Sequence, residues 1–130
     1  MHRETITVET DRRTQVLEVT DAVAATIPED ATGTVTVFSE HTTAAVVVNE
    51  GERRLLEDVE AFLGELVPDE GWAHDEIDDN ADSHLRALLL GPGETIPVAD
   101  GGLQLGTWQS ILLMELDGPR SRSLSVTVQD

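Results

Sequence analysis

Cysteine, tyrosine and lysine are all absent from this chain of 130 residues. Without cysteine there is no disulfide, no zinc–thiolate centre and no thiol nucleophile. Aromatic residues make up only 3% of the chain, so a core has to be assembled from Val, Leu, Ala and Ile. Without lysine all eight cations are arginines, against 26 acids, for a net charge of −18. A surface this acidic repels phosphate backbones and anionic membranes, so neither nucleic acid nor a membrane is expected as a partner. The longest apolar runs span a few residues, and no basic start followed by an apolar stretch opens the chain. A cytoplasmic protein is therefore expected. A Gly-rich phosphate loop, GxGxxG and GxSxG are missing too. P-loop nucleotide hydrolysis, dinucleotide binding and serine hydrolase chemistry drop out on that ground.

Acidity alone could signal disorder, but regular apolar patterning continues to residue 128. The composition reads instead as a folded, halophilic protein, in which salt screens carboxylates that keep the surface hydrated. The patterning gives one domain over residues 1–130, α+β in class, with seven or eight strands and two principal helices. Ile6 and Val8 alternate in a first strand, and Val16 and Leu17 mark a second. A short helix capped by Thr20 or Asp21 runs to about Ile27, and Val35, Val37 and Ser39 share one face of a strand over 33–40. Ala44–Val48 is apolar on both faces, as expected of a central strand. Leu55, Leu56, Val59, Phe62, Leu63 and Leu66 recur at helical spacing over 52–66. A second helix spans about Ala81–Leu90, capped by Asn80 or Asp79 and packed through Leu85, Leu88 and Leu89. The last third is β, with Leu124, Val126 and Val128 inward.

The stretch from Asp69 to Asp79 has no packing period and is crowded with acids around His74. His84 follows Asn80 by four residues, so the two share a helix face. Neutral imidazoles flanked by carboxylates suit a divalent metal, and His41, His74 and His84 are expected to converge; an acidic loop that merely faces water fits the same residues. Gly106–Gln109 and Asp117–Arg120 form a second cluster, with Gln109 and Glu115 expected on one side of a strand. Arg120 and Arg122 there would suit a phosphate or carboxylate, or simply relieve acidic repulsion.

Three ordered strings carry a resemblance: HTTAAVVVNE (His41–Glu50), DDNADSHLRALLLGPGETIPV (Asp78–Val98) and LGTWQSILLMELDGPRSR (Leu105–Arg122). Together they resemble the small YjbQ-like family of secondary thiamine-phosphate synthases, over nearly the whole chain. The resemblance implies a compact β-sandwich-like α+β subunit, assembled as a homotrimer. It also implies a weak ability to join a pyrimidine pyrophosphate to a thiazole phosphate, at a site close to a subunit boundary. Carried over, His41, Glu50, His84 and Arg120 are the expected catalytic residues. Thr42, Asn49, Asn80, Gln109, Arg120 and Arg122 are expected to hold substrate or anion. His41, His74 and His84 are expected to hold a divalent ion, zinc or magnesium. A non-catalytic trimer that captures a small phosphorylated metabolite, or a metal, is the alternative.

Overall fold

The computed structural model describes residues 1–130 as eight strands, three helices and one 3-10 turn. The strands are β1 (His2–Glu9), β2 (Gln15–Glu18), β3 (Gly33–Ser39), β4 (Ala44–Asn49), β5 (Gly93–Ala99), β6 (Gly102–Leu103), β7 (Ser110–Glu115) and β8 (Ser121–Gln129). The helices are α1 (Thr20–Ala24), α2 (Arg53–Leu66) and α3 (Ala81–Leu90), and the 3-10 turn is Ala73–Glu76. Five strands form one antiparallel sheet in the order β1-β8-β3-β5-β6, and three form a second in the order β2-β7-β4.

Side-chain alternation on β7 sets the layering. Ile111 and Leu113 enter a core shared by the two sheets, where they meet Val35, Val37, Leu124 and Val126. Leu112 and Met114 point the other way, into a second core with Leu63 of α2 and Ala87 of α3. The result is a sheet on a sheet, with helices over the outer face of the smaller one. Each fully buried aliphatic side chain contributes about 1.5–3 kcal/mol, which lets a core with few aromatics suffice.

β4 departs from expectation. It lies at an edge of its sheet, and β7 is the central strand. Its two apolar faces have another cause: Ala44 and Val46 pack between the sheets, while Ala45 and Val47 pack beneath the helices. Helix α1 is shorter than its pattern suggests. Thr20 lies inside it rather than capping it, and its hydroxyl accepts from Ile111 N at 2.9 Å. On α2, Glu52 caps the first turn, accepting from Arg54 N and Leu55 N, but Phe62 and Leu66 remain exposed.

Helix α3 is seated by buried ions beside Ala87 and Leu90 rather than by Leu88 and Leu89. Leu88 and Leu89 are 77% and 61% exposed. Asp82 is fully buried and accepts two hydrogen bonds from Arg13, at 2.9 and 3.0 Å, and one from Arg86 at 2.6 Å. Arg86 also donates to Leu63 O and Val67 O, the open carbonyls at the end of α2. Burial would raise the Asp82 carboxyl, yet the two guanidiniums hold it below the usual aspartate range. Asn80 occupies the N-cap position without capping; Asp75 Oδ1 accepts from Ala81 N instead. No helix is long and apolar enough to cross a membrane.

Candidate functional site

Three connections meet at one end of the sandwich: the turn between β3 and β4, the start of α3, and the turn between β7 and β8. They enclose a pocket of about 390 Å³ lined by Glu40–Thr43, Asp78, Asn80, His84, Asp117, Arg120 and Arg122, with no hydrophobic residue. His41, Thr42, Asn80, His84, Arg120 and Arg122 are thus gathered as expected. The turn carrying Arg120 is fixed from outside. Gly118 N donates to Arg13 O at 3.0 Å, and a Cβ at Gly118 would sit 2.2 Å from Arg12 O, so only glycine fits there.

Asn49, Glu50 and Gln109 do not join them. Antiparallel pairing sets Ala44 opposite Glu115 and Asn49 opposite Ser110, so these residues lie at the other end of the smaller sheet, roughly 17 Å of extended chain away. There Asn49 Oδ1 accepts from Glu50 N at 2.7 Å. Gln109 precedes β7 and closes its own turn, accepting from Gly106 N at 2.8 Å, rather than sharing a strand face with Glu115. In the single chain the expected roles of Asn49, Glu50 and Gln109 at the histidine site are therefore not met.

Beneath the pocket lies an ion pair that connects the two sheets. Glu115 of β7 and Arg122 of β8 are 0% and 3% exposed. Arg122 Nε donates to both Glu115 oxygens at 2.9 and 3.1 Å; its Nη2 bonds Glu115 Oε2, Thr43 Oγ1 and Thr43 O. Thr10 Oγ1 donates to Glu115 Oε1 at 2.7 Å, and Asp117 N to Oε2 at 3.1 Å. Burial pushes the Glu115 carboxyl upward, but Arg122, Thr10 and Asp117 N together hold it below the usual glutamate range. Arg122 is therefore first a partner of Glu115, and only its Nη1 is left for the pocket. The same alternation that turns Leu124 and Val126 inward also turns Arg122 inward, and Glu115 shares the inward register of Ile111 and Leu113. Opposite charges on inward registers were the signal for this pair, and the charge-relief reading of the sequence passed over it.

Arg120 is more open. Nε donates to Asp117 O at 2.7 Å and Nη2 to Asp117 Oδ2 at 2.9 Å, which aims the guanidinium and leaves Nη1 without a partner. Asn80 Nδ2 donates to that same Asp117 oxygen at 2.8 Å. Asn80 Oδ1, turned away by this contact, is buried and unpartnered.

The histidines divide by chemistry. His41 Nε2 accepts from Ser123 N at 3.0 Å. A ring nitrogen that accepts carries the lone pair, so the neutral ring bears its proton on Nδ1 and offers a donor. That leaves His41 no free lone pair for a metal. His74 and His84 stand edge to face with centroids 4.9 Å apart, and His74 Nε2 is buried without a hydrogen bond. His74 Nε2 comes within 3.9 Å of Asp78 Oδ2, but His74 does not line the pocket. The orphaned imidazole nitrogen and amide oxygen have the right chemistry for a cation. Yet no group of three His, Asp or Glu side chains is placed to hold one. The expected zinc or magnesium centre of His41, His74 and His84 is therefore not assembled in this chain. Nor does the loop need an ion to fix it. Trp72 Nε1 donates to Pro68 O at 2.8 Å, Trp72 N to Asp75 Oδ2, and Ala81 N to Asp75 Oδ1.

A family model described as UPF0047 protein YjbQ-like matches residues 4–130. A UPF0047 protein of Archaeoglobus fulgidus is 48% identical over 122 residues, covering 93% of this chain and 96% of its own. One from Methanothermobacter thermautotrophicus is 44% identical, covering 98% and 92%. Among solved structures, a hypothetical protein of Aeropyrum pernix superimposes with a TM-score of 0.95 at 44% identity, covering 99% and 98%. A YbjQ-like protein of unknown function from Sulfolobus solfataricus gives 0.90 at 40% identity, covering 96% and 94%.

Proposed function

We propose, from the premise that this chain belongs to the UPF0047 YjbQ-like family, that the pocket at His41 and His84 binds the phosphate or pyrophosphate group of a small metabolite. The observation that carries this reading is the pocket's wholly polar lining, which brings two imidazoles and two guanidiniums together. Two of its three acids are turned toward their own partners, Glu40 toward Arg3 at 3.7 Å and Asp117 toward Arg120 and Asn80, while Asp78 stays exposed at the rim, 3.9 Å from His74. Cationic and imidazole side chains line the cavity with them. Nη1 of Arg120, Nη1 of Arg122 and the Nδ1–H of His41 are free to meet phosphate oxygens.

The reaction that such a site suits is transfer of the thiamine-phosphate-synthase type. The bond from the pyrimidine methylene carbon to the pyrophosphate oxygen breaks, and the leaving group keeps the electron pair. The thiazole-phosphate nitrogen supplies the pair for the new carbon–nitrogen bond. Arg120, Arg122 and His41 stabilise the charge that gathers on pyrophosphate, which is where preorganised donors contribute most. His84 faces the same oxygens and can donate a proton when charged. A divalent ion would assist by neutralising pyrophosphate.

The second reading is capture without turnover, as a homotrimeric binding protein. It is favoured by the lack of a three-ligand group to neutralise a pyrophosphate leaving group. Melting of the chain with inorganic pyrophosphate tests the common ground. A ligand at a hundred times its Kd adds about 2.7 kcal/mol of stability, and the rise should shrink in His84→Ala and Arg120→Leu. No rise with pyrophosphate or any phosphate ester overturns both readings. A rise, followed by pyrophosphate release from the pyrimidine and thiazole substrates, selects the transferase.

A further inference from the structure

His41, Thr42 and His84 belong to two cavities at once. On one side is the polar pocket of about 390 Å³. On the other is a groove of about 470 Å³ completed by Ala44, Ala87, Leu88 and Pro92. None of these four offers a charge or a side-chain hydrogen bond, and the two alanines keep the floor low. The imidazoles thus stand where a cavity for an anion ends and a cavity for hydrocarbon begins.

We infer that the ligand is a phosphate monoester with an apolar organic body: its phosphate sits in the polar pocket, its ester carbon passes the imidazoles, and its body lies on Ala44, Ala87, Leu88 and Pro92. This rests on the phosphate reading above and adds the character of the other half of the ligand. Continuity across His41 and His84 is the argument for the occupant. A molecule anchored by phosphate on one face of the two rings meets the apolar groove directly on the other. The exposed leucine there is then a specificity residue. Leu88 would cover the organic body, and Ala87 would admit it where a larger side chain would not.

Titration calorimetry of the intact chain with methyl phosphate and benzyl phosphate separates the two claims. Both esters carry the same dianion, and only the second reaches the groove. Burying a ring predicts that benzyl phosphate binds about tenfold or more tightly than methyl phosphate. Ala87→Met, which fills the floor, should bring the affinity ratio toward one. Ala87 is nearly buried, so Leu88→Asn, at an exposed position, serves where Ala87→Met unfolds the chain; it too should lower the ratio. Equal affinities in the unaltered chain overturn the inference and leave the phosphate reading standing. Equal affinities together with loss of self-association in Leu88→Asn would mean that a second copy covers the groove, which also overturns it. Failure of both esters to bind removes the phosphate reading, and the inference falls with it.

Discussion

Ser123 donates its backbone N–H to Nε2 of His41 across 82 residues of sequence, at 3.0 Å. That one contact decides what His41 can do, because it takes the lone pair a metal would need and fixes the proton on Nδ1. Nitrogen-15 spectra of the folded chain should show the Nδ1–H form for His41. A protonated Nε2 would refute the assignment. A hydrogen bond to a charged group contributes about 1.5–3 kcal/mol, so His41→Ala should weaken pyrophosphate binding by about tenfold or more. Its melting temperature should change little, since His41 is only part-buried.

The Glu115–Arg122 pair should dominate the acid limb of stability. Removing one partner of a buried pair costs about 3–5 kcal/mol, and Glu115→Gln should lose that much near neutrality. Because the folded carboxyl titrates below its ordinary value of 4.5, its contribution is full above that value and is lost as pH falls through the lower, folded one. The gap in stability between the unaltered chain and Glu115→Gln should hold steady from pH 7 to 5 and close below about 4.5. A gap independent of pH would show that the carboxylate is not what holds the sheets together there.

Salt should stabilise the chain. With a net charge of −18 the subunit repels itself, and the repulsion reaches about 10 Å at 0.1 M salt and further at lower salt. Melting temperature should climb from 50 mM to 2 M potassium chloride. A flat or falling curve would reject the halophilic reading.

Self-association should run through the helical layer rather than through β4, whose two apolar faces are already covered. Phe62, Leu66, Ile77 and Leu89 leave apolar surface open to solvent on α2, α3 and the loop between them. Light scattering at high salt should report three copies of a 14.1 kDa chain, as expected of the homotrimer. Phe62→Glu with Leu89→Glu should lower the mass. A monomer in the unaltered chain at micromolar concentration would end this expectation.

Strands and helices were legible because their apolar periods are local. Val35, Val37, Leu124 and Val126 announce their faces whatever the rest of the chain does. The edge position of β4 was not legible, since coverage by a sheet on one face and helices on the other leaves the same pattern as a central strand. At the site, the shared helix face of Asn80 and His84 was readable from spacing alone. The resemblance grouped Glu50 with His41, but the strand between them carries Glu50 to the far end of the sheet. The pairing of Asp82 with Arg13 depends on contact between segments 69 residues apart, which no spacing along the chain encodes, whereas Glu115 and Arg122 were signalled by opposite charges on inward registers of consecutive strands.

The ion-held seat of α3 has a thermal consequence. The hydration of charged groups becomes less favourable on heating, so keeping Asp82 and Arg86 out of water costs less as temperature rises. Stabilisation by hydrocarbon, which seats α2 through Leu56, Val59 and Leu63, only levels off. Warming therefore shifts the balance of rigidity toward the segment that bears His84. Amide exchange in α3 should outlast that in α2 near the melting point, with the imidazole still in register while the outer helix frays.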